Sequence, residues 1–339
     1  MKFIKNNINK ILFIIIILLI IFFLIIHIKN DNKIKEYNKT FKYMDTYINV
    51  RIYEKNKDIA KQTLNEVEQI YIKYEKLLDR NKNYNHIVNL YNIKSNSSNQ
   101  NLKLSSYLYD LLKFGKDAYN ETNGLVDISK GNINDIWSLY RDSKSGYPTN
   151  EELMKANTNN IEDVNLLENN EIENNHVNLY VENYSLGYIT NIVKNYLIKN
   201  NITKYLINAN GLISVGDYFD KGSYGISLQN PDNINSTYYI IKGNNISVST
   251  KSYSSDYYEY ENIRYNSIIN PKTLKSENNM KSVTVICGNS AKSEIIATML
   301  FLMDIDSGLN YVNNNNDIEA IWYTNNDDVI KSNGFYKYE

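Results

Sequence analysis

The sequence predicts an α+β body with mixed sheets and packed helices, placed behind an N-terminal apolar segment. Several stretches carry apolar residues at helical spacing, and others alternate at strand spacing. The two kinds follow one another without a regular strand–helix–strand period, which points to α+β rather than α/β. A third observation is the absence of any internal repeat or sharp linker within residues 43–339, so the body reads as one domain.

The elements fall in the following order. Residues Ile11–Ile26 are uninterrupted apolar and follow Lys2, Lys5 and Lys10. With Ile28 the run nears the lower limit of a spanning helix, about 17–25 residues. No small-residue cleavage site or lipid-accepting cysteine follows, so residues 1–28 are expected to be an uncleaved signal anchor in the cell membrane. Lysines lie on both sides of the run and leave the charge rule undecided. An extracytoplasmic body is expected. A polar linker is expected over 29–42. Thr46–Glu54 alternates as a strand, and Lys57–Leu78 has the spacing of a long amphipathic helix. A second helix is expected over Ser105–Thr122, stopped by Asn123-Gly124. Residues 157–176 read as an Asn/Glu-rich loop. Further strands are expected at Asn178–Glu182, Lys204–Ala209, Tyr224–Leu228, Thr237–Lys242, Ser282–Cys287 and Ile318–Tyr323. Further helices are expected at Leu186–Lys199 and Ser290–Met303.

Composition narrows the function. The 339 residues hold 37 basic and 38 acidic side chains, without the basic excess a nucleic-acid partner calls for. Asn, Ile, Lys and Tyr are abundant along the whole chain, so Asn-rich runs carry little information. Cys287 is the only cysteine, which excludes an intramolecular disulfide and a multi-cysteine metal site. Within SVTVIC it reads as a small buried hydrophobe. The histidines are His27, His86 and His176, so chemistry in the rest of the chain rests on carboxylates, hydroxyls, backbone groups or a metal.

One helix poses a question of its own. In AKSEIIATMLFL, Glu294 and Thr298 stand four residues apart and share a face. Two oxygens on one face suit a hard cation such as Mg²⁺. The same residues also have structural readings, since Glu294 lies near a helix N-terminus and Thr298 can bond back to a helical carbonyl. Asp127 in GLVDIS is likewise either a ligand acceptor or a cap for the segment that follows.

The order of the motifs carries more than any one of them. MDTYINV (44–50) opens the first strand, and LLDRNKNYNHIVNLYN (77–92) closes the long helix. GLVDISKGNINDIW (124–137), VENYSLGYITNI (181–192), NANGLISVG (208–216) and NPKTL (270–274) follow. The series ends in SVTVICGNSAKSEIIATMLFL (282–302). It resembles the FAD:protein FMN transferases, the ApbE family, over about residues 43–323. The resemblance implies an α+β transferase body, FAD as substrate, Mg²⁺ as cofactor, and a threonine hydroxyl of a partner protein as acceptor, with AMP leaving. It implies Met44, Leu125, Val126, Asp127, Asn191 and Ile268 at the FAD. Glu294 stands where the family has a metal-binding Asp, Thr298 where it has a metal-binding Thr, and the carbonyl near Tyr188 would supply another ligand.

No catalytic residue is marked, because several positions depart from the family pattern. Its His is Ser267, the Asp-Pro element begins at Asn270, and its Gly is Leu274. Its Lys-Gly pair is Asn191-Ile192, and the Asp before that is Ser185. Gly-Gly-Asp is Asn210-Gly211-Leu212, and the Ser-Gly after Thr250 is Lys251-Ser252. Two other readings stay open. One is a degenerate, membrane-anchored homologue that binds flavin nucleotide. The other is a surface-tethered interaction protein using the tyrosine-dense run Ser252–Tyr265.

Overall fold

A large antiparallel sheet organises the computed structural model, which describes residues 15–21, 33–96 and 100–339. Its strands are β1 (Lys35–Tyr43), β2 (Thr46–Glu54), β3 (Tyr205–Ala209) and β4 (Leu212–Val215). After a separate hairpin of β5 (Tyr224–Asn230) and β6 (Asn233–Gly243) come β7 (Ile246–Ser252), β8 (Ser282–Cys287), β9 (Ile318–Tyr323) and β10 (Val329–Lys331). The spatial order is β1-β2-β3-β4-β7-β8-β9-β10. Every adjacent pair in this sheet is antiparallel, so the α+β expectation stands while mixed sheets do not. Hairpins join β1 to β2 and β3 to β4, and the long excursions, above all that from Glu54 to Tyr205, return to the end of the sheet they left, which makes the pairing antiparallel.

The main helices are α1 (Lys57–Leu78), α2 (Ser106–Glu121), α3 (Gly131–Ser143), α4 (Ser185–Lys199), α5 (Ser290–Leu302) and α6 (Ile305–Asn313). Helix α1 starts where the Asn56 side chain accepts the amides of Asp58 and Ile59. Its buried stripe runs Ala60, Leu64, Val67, Tyr71, Tyr74 and Leu78, the spacing the sequence showed. Helix α5 is buried along its whole length, packed on α4 and against β7 and β8. That sandwiched position accounts for its lack of a polar face.

Three expectations are corrected. Most of the expected linker, Lys35–Tyr43, is strand β1, paired residue for residue with β2. Phe41 and Tyr43 turn into the core, and Lys35 and Lys42 face solvent, the protection a sheet edge requires. Asn178–Glu182 is not a strand. Its carbonyl at Asn178 accepts from the Gly131 amide (3.0 Å), and the Tyr180 amide donates to the Ile128 carbonyl (2.9 Å). Those groups are spent on the segment before α3 instead of on a sheet. The Asn/Glu-rich loop contains short strands Leu166–Leu167 and Glu171–Ile172, which pair with Leu102–Lys103 in a small sheet.

The expected anchor lies outside the described residues except for 15–21, which are helical with exposed apolar side chains. Among the described residues no helix is long and apolar enough to cross a membrane.

The β3–β4 hairpin turns on Asn210 and Gly211, with φ of 44° and 85°. Two consecutive left-handed residues between paired Ala209 and Leu212 give the turn that matches strand twist, and Asn-Gly is the sequence suited to it. Gly211→Ala is expected to lower the unfolding free energy by about 1 kcal/mol, read from urea denaturation, because a Cβ is unfavourable at that φ.

Candidate functional site

The site is built where α4 crosses α5. Helix α5 begins after Asn289, whose side chain accepts the amides of Ala291 and Lys292. Glu294 projects from it toward the first turn of α4, and its carboxylate is buried. One oxygen, Oε2, accepts the Gly187 amide at 2.6 Å. Gly187 lies in the first turn of α4, where amides have no partner within their own helix. Glu294 therefore caps a second helix, and the positive end of that helix favours its charge. The other oxygen, Oε1, accepts from the Lys251 ammonium at 3.0 Å. Lys251 comes from β7 and is itself largely buried.

Gly187 is required here by close approach. A Cβ on it would fall 2.4 Å from the Ser290 carbonyl oxygen and 2.9 Å from Glu294 Oε2. The Ser290 hydroxyl donates to the Gly187 carbonyl at 2.9 Å and ties the two helix starts together. Thr298, one turn beyond Glu294, lies 3.1 Å from both the Asn183 and the Glu294 carbonyl oxygens. Both readings of the pair thus have a physical basis: the side chains share one face, and each is satisfied within the protein. The Tyr188 ring turns away into an aromatic cluster with Tyr74 and Phe114, leaving only its main chain near the crossing.

Acidic groups gather at the neighbouring β1–β2 turn. Met44 sits in it with a left-handed φ of 49°, and its amide donates to Glu75 Oε1 at 2.9 Å. The adjacent Tyr43 hydroxyl is buried without a hydrogen-bond partner among the described residues. Burial pushes its ionisation well up, and the nearby Tyr71, Glu75, Glu182 and Glu294 push it further. Glu182 is open to water, yet protein encloses it enough that desolvation raises its carboxyl above the usual range. Arg80, the Tyr180 hydroxyl (3.1 Å) and Arg141 oppose that rise, and Asp256 adds to it.

A cavity of about 320 Å³ joins Asp127 to the NPKTL element. Its walls include Tyr119, Gly124, Asp127, Lys130, Pro271 and Lys272. Leu125 and Val126 are buried beside it, and the Val126 amide donates to Thr122 Oγ1 at 3.0 Å. Asp127 Oδ1 accepts from the Ser129 amide (2.8 Å) and hydroxyl (2.7 Å). It caps that turn and not a helix, since α3 begins only at Gly131. Asn270 is buried; its Oδ1 accepts the Lys272 amide at 2.9 Å, and its Nδ2 donates to Glu277 at 2.8 Å. Leu274 takes a left-handed φ of 63°, so the backbone geometry that favours glycine persists there with a buried side chain. Ile268 is buried, and its amide donates to Asn266 Oδ1. Asn191 lies on α4 one turn beyond Gly187, half-buried.

Arg80 links the parts. Its Nη2 donates to the Gly131 carbonyl (3.2 Å), Asp135 (2.7 Å) and Asn178 (2.8 Å), fixing the start of α3 to the segment that leads into α4. Residues 44–322 match the ApbE family. This chain belongs to the ApbE family. An FAD:protein FMN transferase of Klebsiella pneumoniae is 30% identical over 148 residues, 43% of this chain and 45% of that protein. One from Vibrio cholerae is 25% identical over 264 residues, 76% of this chain and 78% of that protein. The alignment thus spans about half the length of the first relative and over three quarters of the second. Two solved structures share the fold. The ApbE protein of Thermotoga maritima superposes with a TM-score of 0.79 at 17% identity, covering 90% of this chain and 99% of that one. The flavin transferase ApbE of Vibrio cholerae gives 0.74 at 20%, covering 91% and 100%. At these identities the superpositions speak to the fold alone.

As an ApbE member, the chain can be tested for fit to a divalent ion at the α4–α5 crossing. The donors there are hard oxygens: the Glu294 carboxylate, the Thr298 hydroxyl and main-chain carbonyls. Among the described residues no cluster of three or more His, Cys, Asp or Glu forms, so one carboxylate would carry the charge. A cation does stand on that carboxylate, namely the Lys251 ammonium. The donor set therefore fits a hard cation in kind. The sequence marked Lys251 only as a departure from the family pattern and did not mark Arg80, whose partners are remote in sequence, or Glu182, whose enclosure comes from Arg80, Arg141 and Asp256.

Gly187→Ala is expected to destabilise the protein by about 1–3 kcal/mol, because the helices must part to admit the methyl group. Gly288→Ala, where an added Cβ meets nothing within 4 Å, is the control and should be near neutral in the same denaturation series.

Proposed function

We propose that this chain is an FAD:protein FMN transferase that moves FMN from FAD to a threonine hydroxyl of a partner protein and releases AMP. The observation that carries the proposal is the charged centre of Gly187, Glu294 and Lys251 at the α4–α5 crossing, set within a chain that matches the family over 44–322.

In the proposed reaction the threonine oxygen bonds to the flavin-side phosphorus, the bond to the bridging oxygen breaks, and that oxygen departs with AMP. Charge builds on the phosphoryl oxygens and on the leaving group. Mg²⁺, where bound by Glu294, Thr298 and the Tyr188 carbonyl, supplies neutralisation and orientation of those oxygens. Met44, Leu125, Val126, Asp127, Asn191 and Ile268 are assigned to the flavin nucleotide. The cleft beside Asp127 and Pro271 supports that assignment for the residues it touches. The threonine proton needs an acceptor. The amide of Asn270 has no titratable oxygen for that task, and both ends of it are engaged. We assign the task to Glu182, which is open to water and hydrogen-bonded to Tyr180. The apolar run 11–26 is proposed to tether the body to a membrane, with the body extracytoplasmic.

The replacement of the family's His and Asp by Ser267 and Asn270 favours a second reading, a homologue that binds flavin nucleotide without transferring it. One assay separates the two. The protein is incubated with FAD, Mg²⁺ and an acceptor domain bearing a threonine, and covalent flavin fluorescence is read on a denaturing gel. Transfer that Glu294→Ala reduces by about 100-fold or more supports the first reading, the scale at which loss of a preorganised charge acts. FAD binding without transfer supports the second. If transfer occurs, its rate is expected to rise with pH through a midpoint above the ordinary carboxylate value, because only ionised Glu182 takes the proton. Glu182→Gln should abolish that limb of the pH–rate profile. An unchanged profile would remove Glu182 from the mechanism.

A further inference from the structure

Two departures from the family pattern face each other. Position 294 holds Glu where the family has a metal-binding Asp, and position 251 holds Lys in the pair that follows Thr250. Their side chains meet at 3.0 Å with only 5% of Glu294 and 14% of Lys251 exposed. A buried carboxylate needs a counter-charge. In this chain β7 delivers one on a covalent tether, while the Gly187 amide holds the other oxygen. A divalent ion entering this site would have to expel the ammonium, and the displaced Lys251 would then face a cation across a poorly hydrated gap.

We propose that Lys251 is a built-in competitor of the divalent cation at Glu294, so that the chain keeps its carboxylate neutralised without metal and binds Mg²⁺ weakly. The two substitutions then act as one exchange, in which a diffusible cation gives way to an internal ammonium. The inference rests on the flavin-transferase reading only for what the positive charge is for. The site chemistry stands on the ion pair itself.

The test is Mg²⁺ binding to the full-length protein by titration calorimetry, without flavin. Lys251→Ser and Lys251→Met are expected to bind Mg²⁺ about tenfold or more tighter than the unmodified chain, since each removes the competitor. Lys251→Arg keeps a cation there and should bind as weakly as the unmodified chain. Adding Glu294→Gln to Lys251→Ser should abolish the gain and so locate it. Should the Ser and Met variants fail to fold, the unmodified chain decides alone. Millimolar Mg²⁺ is expected to leave its unfolding midpoint unchanged, and a rise abolished by Glu294→Gln would overturn the proposal. Equal or weaker Mg²⁺ binding by folded Lys251→Ser and Lys251→Met would also overturn it. Because no flavin is present, a failure to bind FAD would count against the transferase reading and leave this result standing.

Discussion

A carboxylate buried between two helices is costly unless each of its oxygens is satisfied. Glu294 meets that condition through one backbone amide and one ammonium, and much of the surrounding architecture serves those two contacts. The amide is available because Gly187 opens a helix. The carboxylate can reach it because position 187 has no side chain to hold the helices apart. The ammonium is available because α5 packs against β7. A long antiparallel sheet, a buried helix and a second helix whose first turn leaves an amide free to bond are thus the parts that keep a charge pair out of water.

That centre does not stand alone. The β1–β2 turn brings Met44 and the Tyr43 hydroxyl near it, α1 brings Glu75, and Glu182 approaches on the segment that leads into α4. Arg80 ties this chain to the start of α3, and so relates the charged centre to the cleft beside Asp127. The proposed transfer calls for positive charge and carboxylates held in fixed positions, and the pairing of Lys251 with Glu294 and the placing of Glu75 and Glu182 near Tyr43 are of that kind. Family membership gives this geometry its chemical meaning, and the proposal about Lys251 concerns how this chain departs from the pattern.

Much of the fold was legible in the sequence. Helix α1 is bounded where its apolar stripe begins and ends, and β8 and β9 coincide with apolar runs too short to be helices. Strand β1 was not legible, because Lys35, Asn38 and Lys42 are exposed on an edge strand and imitate a linker, while Lys39 is held by Glu68 of α1. Asn178–Glu182 misled in the other direction. Its apolar content is that of a strand, but its backbone is bonded to residues 128–131, a tertiary fact with no local signature. At the site, the shared face of Glu294 and Thr298 followed from helical spacing. The Lys251 partner did not, since 43 positions separate it from Glu294. The available signal was chemical: a charged residue where the family pattern has a small one, in a chain with another departure at the position it turns out to meet.

The most direct test of the account is a structure of this protein with FAD bound. The account predicts the diphosphate against the Lys251–Glu294 centre at the α4–α5 crossing, with the rest of the nucleotide reaching the cleft at Asp127 and Pro271. A dinucleotide seated elsewhere, with Lys251 and Glu294 still locked together and sealed from it, would contradict the account.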